Sequence, residues 1–297
     1  MKINFEFTKI LFLMIPLVFF TCTKNDVKES PKKENQGIIY AKPENIASDV
    51  SLQKYMELIE YFNNPANKVK MQFWSKESEF AWQNFSLFFR TAQVPRTGSI
   101  ADFNYNIQNS IASVNYKNIK GETYTLDEHF NKFAVDGMIV VKNGSIVYER
   151  YKTMRPDDKH IWFSVSKVIG STLMLFLEEE GKVDVNKPVP FYLPELKGTV
   201  WDEVKVIEAL DMATGLNGTE FDEPGGDATT NPEQIWYQWA VSIGLLPGTP
   251  MKWPEVLAKM KRIKPAYESF AYNSISTFVV DRIVERVGKK PLTVQFS

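Results

Sequence analysis

Trp162-Phe163-Ser164-Val165-Ser166-Lys167 opens a nearly continuous apolar segment that runs from Ile161 to Glu180 and ends in Glu-Glu-Glu-Gly181. The segment is too long for one strand, and Gly181 stands where a helix stop is wanted, so the pattern predicts a helix. A helix this apolar is expected in the middle of a fold. Just upstream, Met138 to Tyr151 holds two β-prone runs joined by Asn143-Gly144. Asn-Gly supplies the positive φ angles of a two-residue type I′ turn, which predicts a hairpin.

The first residues of the helix carry chemistry. A serine hydroxyl is a weak nucleophile until a base takes its proton, and residues three apart share a helix face, which brings Lys167 within reach of Ser164. The positive end of the helix favours a developing alkoxide. Spacing alone decides nothing, because Ser30 to Lys33 and Ser51 to Lys54 repeat it. Both lie in or beside a polar stretch, whereas Ser164 opens a long apolar helix behind a hairpin. The plain alternative makes Ser164 an N-cap and Lys167 a solvated first-turn residue. A lysine in so apolar a stretch weakens it, since buried lysines need partners.

A second cluster, Phe270-Ala271-Tyr272-Asn273-Ser274, stands at the mouth of a helix predicted over 274–287. A tyrosine beside the Ser-Lys pair can pass a proton to a leaving group, and the Ser274 hydroxyl can extend the hydrogen-bond network. By itself Tyr272 also reads as a packed aromatic with a satisfied hydroxyl. Between the clusters the chain is helix-rich, with helices expected over 203–214 and 232–242 and Gly/Pro-rich loops around them. Residues 52–90 also carry a helical pattern. Trp162 is a candidate pocket wall. Asp222, Glu223 and Asp227 do not have the spacing of an EF-hand loop and read as a solvated acidic loop.

The whole chain bounds these readings. Its 297 residues carry 35 basic and 36 acidic side chains with no basic stripe, which argues against nucleic acid. Lys2 and Lys9 precede an apolar run from Ile10 to Phe20, then Thr21-Cys22. That is a signal-peptide layout, and the run is shorter than the roughly 20 residues of a spanning helix. Cys22 is the single cysteine, so no intrachain disulfide forms. It stands where a bacterial lipoprotein carries its lipid, although Phe19-Phe20-Thr21 departs from the usual residues before that site. Ordinary cleavage nearby and an incidental cysteine stay open. The expected plan is a signal peptide over 1–22, a flexible tether over 23–50, and one domain over 51–297. The protein is expected to be exported to the bacterial cell envelope and held at the membrane through Cys22.

Taken in order, the hairpin, F-S-V-S-K, V-I-E-A-L-D-M-A-T-G-L from Val206 to Leu216, and F-A-Y-N-S resemble one family. The second motif follows the serine by 108 residues. The pattern, from about Phe130 to Leu292, is similar to the class C β-lactamase-related serine hydrolases of the penicillin-binding-protein superfamily. Its Tyr-x-Ser form is nearest the 6-aminohexanoate-oligomer hydrolase branch. The resemblance implies an α/β (α+β) fold, an antiparallel sheet flanked by helices, with an all-helical region from about 182 to 268. It implies Ser164 as the acyl-enzyme residue, Lys167 and Tyr272 as proton carriers, and the Ser164 N–H as one oxyanion donor. Ser274 would stand where lactamases have asparagine, which leaves a small amide or ester as the expected substrate. No cofactor or metal is implied.

Two departures stand out. Pro265-Ala266 replaces the Pro-Gly common in relatives, and the third element, Lys or His followed by a small residue and Gly on a late strand, is absent. Neither Lys142-Asn-Gly144 nor Lys197-Gly-Thr199 is placed to replace it. Ser297 is only 25 residues past Tyr272, so the chain is expected to be C-terminally truncated, with the last part of the sheet missing. Alternatives to the amidase or esterase are a β-lactamase, a D-amino-acid peptidase, and a non-catalytic envelope binding protein.

Overall fold

The computed structural model describes residues 37–296 except Gln93, Pro95, Arg96, Ala101, 222–226 and Pro250. The expected signal peptide, Cys22, the first part of the tether, and Asp222 and Glu223 lie outside the described residues. In chain order the elements are α1 (Leu52–Asn63), α2 (Pro65–Lys68), α3 (Lys76–Gln83), β1 (Asn104–Tyr105), β2 (Asn115–Lys117), β3 (Thr123–Thr125), α4 (Leu126–Lys132), β4 (Gly137–Lys142) and β5 (Ser145–Tyr151). They continue with α5 (Lys167–Glu179), α6 (Val189–Tyr192), α7 (Val206–Leu210), α8 (Ile235–Ser242), α9 (Trp253–Leu257), α10 (Ser274–Gly288) and α11 (Leu292–Gln295).

The hairpin forms as its sequence demands. Asn143 and Gly144 take φ of 50° and 72°, the left-handed pair that a type I′ turn requires. β4 and β5 pair antiparallel from Gly137↔Tyr151 to Lys142↔Ser145, with a register shift between Val140 and Val141. On the other edge of β5, β1 pairs parallel at Asn104↔Ser145 and Tyr105↔Ile146. β2 and β3 make a separate antiparallel pair. It runs into α4 through a capping box in which Thr125 and Glu128 satisfy each other's backbone N–H groups.

The stretch read as tether is anchored from its later part on. The Ile39 N–H donates to the Glu149 carbonyl at 3.2 Å, Tyr151 N–H donates to the Ile39 carbonyl at 2.8 Å, and Ala47 N–H donates to the Thr153 carbonyl at 2.8 Å. Ile46 is buried. Sparse apolar residues in a polar segment suffice here because the open edge of β5 supplies backbone partners. The helical region over 52–90 is likewise cut into three pieces, with Pro65 opening α2 and Ser75 capping α3. Ser51, from the second chance S-x-x-K, is the N-cap of α1 and accepts the Lys54 N–H.

Two apolar cores hold the elements. A small one joins Leu58, Phe62, Met71, Phe80, Ala81 and Phe88. The main one spans α5 to α10 around Trp201, Leu193, Leu196, Leu257 and Ile283, all fully buried. Between residues 182 and 268 the described residues form helices and turns without a strand, as expected. α5 corrects one expectation. Gly170, Met174 and Leu177 are buried, but Val168, Leu175 and Phe176 are each more than half exposed. One face of the helix packs on α10, and its opposite face meets solvent.

Candidate active site

The nucleophile candidate sits in a short 3-10 turn, Phe163–Ser166, that runs straight into α5. Side chains at i and i+3 eclipse in a 3-10 turn, so Ser164 and Lys167 stand one above the other. The Lys167 Nζ lies 2.8 Å from Ser164 Oγ and is placed to donate to it. The turn is pinned on both sides. The Ser166 hydroxyl donates to the Phe163 carbonyl at 2.6 Å, and Ile161 N–H donates to the Trp82 carbonyl on α3 at 3.0 Å. Phe163 has a φ of 44°, sparsely populated for a residue with a side chain. Its ring stands edge-on to Trp82 with centroids 5.7 Å apart.

The approach to the turn is fixed by charge. His160 Nε2 is 2.7 Å from Asp136 Oδ2, and the other ring nitrogen is 2.8 Å from the Ile161 carbonyl. Thr153 Oγ1 also donates to Asp136. The hydrogen bond that His160 donates to Asp136 raises the His160 pKa above its ordinary value. Burial pushes the Asp136 carboxyl up, but the bonds from His160 and Thr153 outweigh it and leave the pKa lowered.

The second cluster arrives on the loop before α10. Ala271 N–H donates to the Met212 carbonyl at 3.0 Å, which ties the Tyr272 strand of loop to the Val206–Leu216 motif. The Lys167 Nζ lies 5.0 Å from the centre of the Tyr272 ring, close enough for a cation–π contact. Ser164, Lys167 and Tyr272 therefore share one site. Asn273 is structural: it is the N-cap of α10, and its side chain accepts the Ile275 N–H at 2.9 Å. Ser274 faces Glu220, with its N–H 3.2 Å from both carboxylate oxygens and its hydroxyl bonded to Oε1. Burial raises the Glu220 pKa above its ordinary value, against the pull of Ser274 and of the Lys167 charge.

These groups open into a cleft of about 780 Å³. Phe85 and Phe89 wall it on one side and Trp236, Trp239 and Phe278 on the other, with the exposed Trp162 at its edge. Trp162 and Ser274 both line it. Glu220 and Asp281 line it too, and the sequence did not single them out. A lone acid beside the acidic loop carries no sign that a distant serine will bury it. Among the described residues no cluster of His, Cys, Asp and Glu is placed to hold a metal ion. Asp227 instead accepts from the N–H and hydroxyl of Thr229.

Comparisons with known proteins show the family and the fold. Residues 126–297 match the family model described as Beta-lactamase. Over 164 residues the chain is 30% identical to a 6-aminohexanoate-dimer hydrolase of Paenarthrobacter ureafaciens, covering 54% of this chain and 40% of that protein. Over 75 residues it is 35% identical to a Beta-lactamase of Providencia stuartii, covering 25% of this chain and 19% of that one. A solved Bacillus anthracis structure, assigned as a 6-aminohexanoate-dimer hydrolase, superposes with a TM-score of 0.62 at 23% identity. That match covers 78% of this chain and 58% of the other. The chain spans less than half the length of the curated relatives it matches. The likeness to the solved structure establishes the β-lactamase/transpeptidase-like fold, mixed α/β with small sheets and many helices.

Proposed function

We infer the function from one established premise: this chain belongs to the beta-lactamase family, whose model residues 126–297 match. The protein is a serine hydrolase that acts through an acyl-enzyme on a small amide or ester. The observation that carries this reading is the 2.8 Å separation of Lys167 Nζ and Ser164 Oγ in a turn that eclipses the two side chains. In the neutral amine form, Lys167 accepts the Ser164 proton as Oγ attacks the substrate carbonyl carbon. The Oγ–C bond forms, the bond to the leaving nitrogen or oxygen breaks, and Tyr272 passes a proton to the leaving group. Water then cleaves the ester by the reverse sequence.

The wall chemistry and the relatives support the substrate reading. An aromatic cleft of this size suits a small acyl group with a mostly apolar body. The hydroxyl of Ser274 is engaged by Glu220, where a lactamase presents an asparagine amide. That favours open-chain amides, in line with the 6-aminohexanoate-dimer hydrolase relative, over β-lactams. The protein is exported and anchored at the bacterial envelope through a lipid on Cys22, on the strength of the lysine-bearing, apolar leader before it. Cys22→Ser, followed by fractionation, tests this: the variant is expected to leave the membrane fraction, and retention there argues against lipidation.

A fluorophosphonate probe tests the catalytic reading, with Ser164→Ala as control and a fluorescent penicillin in parallel. The expected result is a Ser164-dependent adduct with the phosphonate and turnover of small amides or esters. A chain that gives no such adduct is the non-catalytic binding protein instead. Strong penicillin labelling points to the lactamase or D-amino-acid peptidase alternatives.

A further inference from the structure

The cleft holds a second cation besides Lys167. Lys68 is the last residue of α2 and lines the cleft together with Ser164 and Tyr272. It is partly buried, and its Nζ stands 4.9 Å from the centre of the Phe89 ring. Phe89 stacks in turn on Phe85, with ring centres 4.3 Å apart, so the ammonium belongs to the aromatic wall built by the small core. Neighbouring lysines have polar partners: Lys54 pairs with Glu57 at 3.5 Å, and Lys70 donates to the Tyr61 hydroxyl at 3.2 Å. Among the described residues, the Lys68 ammonium has the ring contact but neither an ion pair nor a hydrogen bond. A cation–π contact leaves its three N–H donors open to an acceptor that enters the cleft. The acids of the cleft are committed elsewhere. Glu220 accepts from Ser274, and Asp281 of α10 stands against Gly170. Lys68 also lies outside residues 126–297 that match the family model. The family's nucleophile therefore shares its cleft with a cation from the segment before it.

We propose that Lys68 is a specificity residue that binds a carboxylate at the far end of the substrate's apolar body. This rests on the serine-hydrolase reading, since the bound molecule is a substrate only where Ser164 attacks it. Aromatic walls hold an apolar chain without fixing which of its carbonyls meets the nucleophile; a few polar groups do that in a cleft of this kind. With its charged end on Lys68, the chain is registered against Ser164, and the scissile carbonyl is presented in one place. The substrate class is then an amide or ester whose scissile bond is separated by a methylene chain from a free carboxylate. No bond is made or broken at Lys68.

The test is ligand binding to the full chain carrying Ser164→Ala, so that nothing turns over, read by calorimetry and by the fluorescence of Trp162, Trp236 and Trp239 in the cleft. One arm uses dicarboxylic acid monomethylamides, with the carboxylate on the acyl side of the amide. The other uses N-acetyl-ω-amino acids, with the carboxylate on the amine side. Each is measured over a series of methylene chain lengths against the neutral primary amide of the same length. In one arm the carboxylate is expected to bind about tenfold tighter than its neutral counterpart, the size of a hydrogen bond to a charged group. Lys68→Gln is expected to abolish that preference, Lys68→Arg to keep it, and Lys70→Gln to leave it unchanged. Lys68→Met, which keeps an apolar stem beside Phe89, replaces Lys68→Gln if that variant does not fold. No preference in either arm at any length, a preference that survives loss of the Lys68 charge, or one lost equally in Lys70→Gln overturns the proposal. Fluorophosphonate labelling of the chain with Ser164 intact separates the two ideas. A carboxylate preference without a Ser164 adduct rejects the hydrolase and keeps the anion site, whereas an adduct without the preference rejects only the role of Lys68.

Discussion

At Phe163 the backbone adopts a φ of 44°, which costs a residue with a side chain about 1–2 kcal/mol. The edge-on contact with Trp82 offsets about 0.5–1.5 kcal/mol of it. Phe163→Gly removes both the cost and the contact. Its unfolding free energy is therefore expected to stay within about 1 kcal/mol of wild type, since the two terms nearly cancel. The Ser164 turn, no longer held against α3, is expected to lose up to about 100-fold in fluorophosphonate labelling rate. Equal losses of stability and labelling would show instead that Phe163 acts only by packing. Ser274 is tied to its neighbour more directly. Ser274→Ala removes the hydroxyl that donates to buried Glu220, and a hydrogen bond to a charged group is worth about 1.5–3 kcal/mol. Urea denaturation is expected to record a loss of that size, and Glu220→Gln in the same background to recover part of it. A loss under about 0.5 kcal/mol would mean that the backbone N–H of Ser274 satisfies Glu220 alone.

The link between β5 and α5 is held by paired side chains on different elements, and pH reaches it. Gln83 of α3 donates to the Thr153 carbonyl at 2.9 Å, and His160 meets Asp136 next to β4. The Asp136 pKa is lowered, so its contribution is present above the ordinary aspartate value and is lost as pH falls through the folded value. The His160 pKa is raised, so its contribution is complete below the ordinary histidine value and is lost as pH rises through the folded value. Their joint contribution is therefore greatest between about pH 4 and about pH 6.5. His160→Gln is expected to lose more stability against wild type at pH 5 than at pH 9, read by urea unfolding at both. A loss that does not change with pH would make the pair a neutral hydrogen bond.

The same elements indicate what a sequence reader can and cannot see. α10 and the hairpin were legible because their signals are local: Asn273 caps one and Asn143-Gly144 turns the other. The exposure of α5 was not, because an apolar stripe specifies a need for cover and says nothing of what supplies it. β1 and the Ile39 bridge went unseen because two-residue pairings leave no periodicity. Glu220 and Asp281 went unseen because the residues they meet, Ser274 and Gly170, lie far away in the chain.

Across the whole molecule, the cleft lies where the two cores meet. Met71, Phe85 and Phe89 belong to the small core or pack on it, while Trp236, Trp239 and Phe278 belong to the main one or pack on it. Ser164 is therefore framed by two bodies of unequal size, and the smaller has far fewer buried side chains to hold it. Phe62 is fully buried in the small core, and Phe→Ala at such a site costs about 3–5 kcal/mol. Ile283 is equally buried in the main core, where a truncation to Ala costs about 2–5 kcal/mol. Local unfolding follows local burial, so the two truncations should differ in kind. On heating, Phe62→Ala is expected to lose fluorophosphonate labelling at a temperature below its helix-melting midpoint, because the cleft wall opens while α5 to α10 persist. Ile283→Ala is expected to lower both midpoints together. Coincident midpoints in Phe62→Ala would mean that the two cores melt as one cooperative unit, and the site would then be only as stable as the whole.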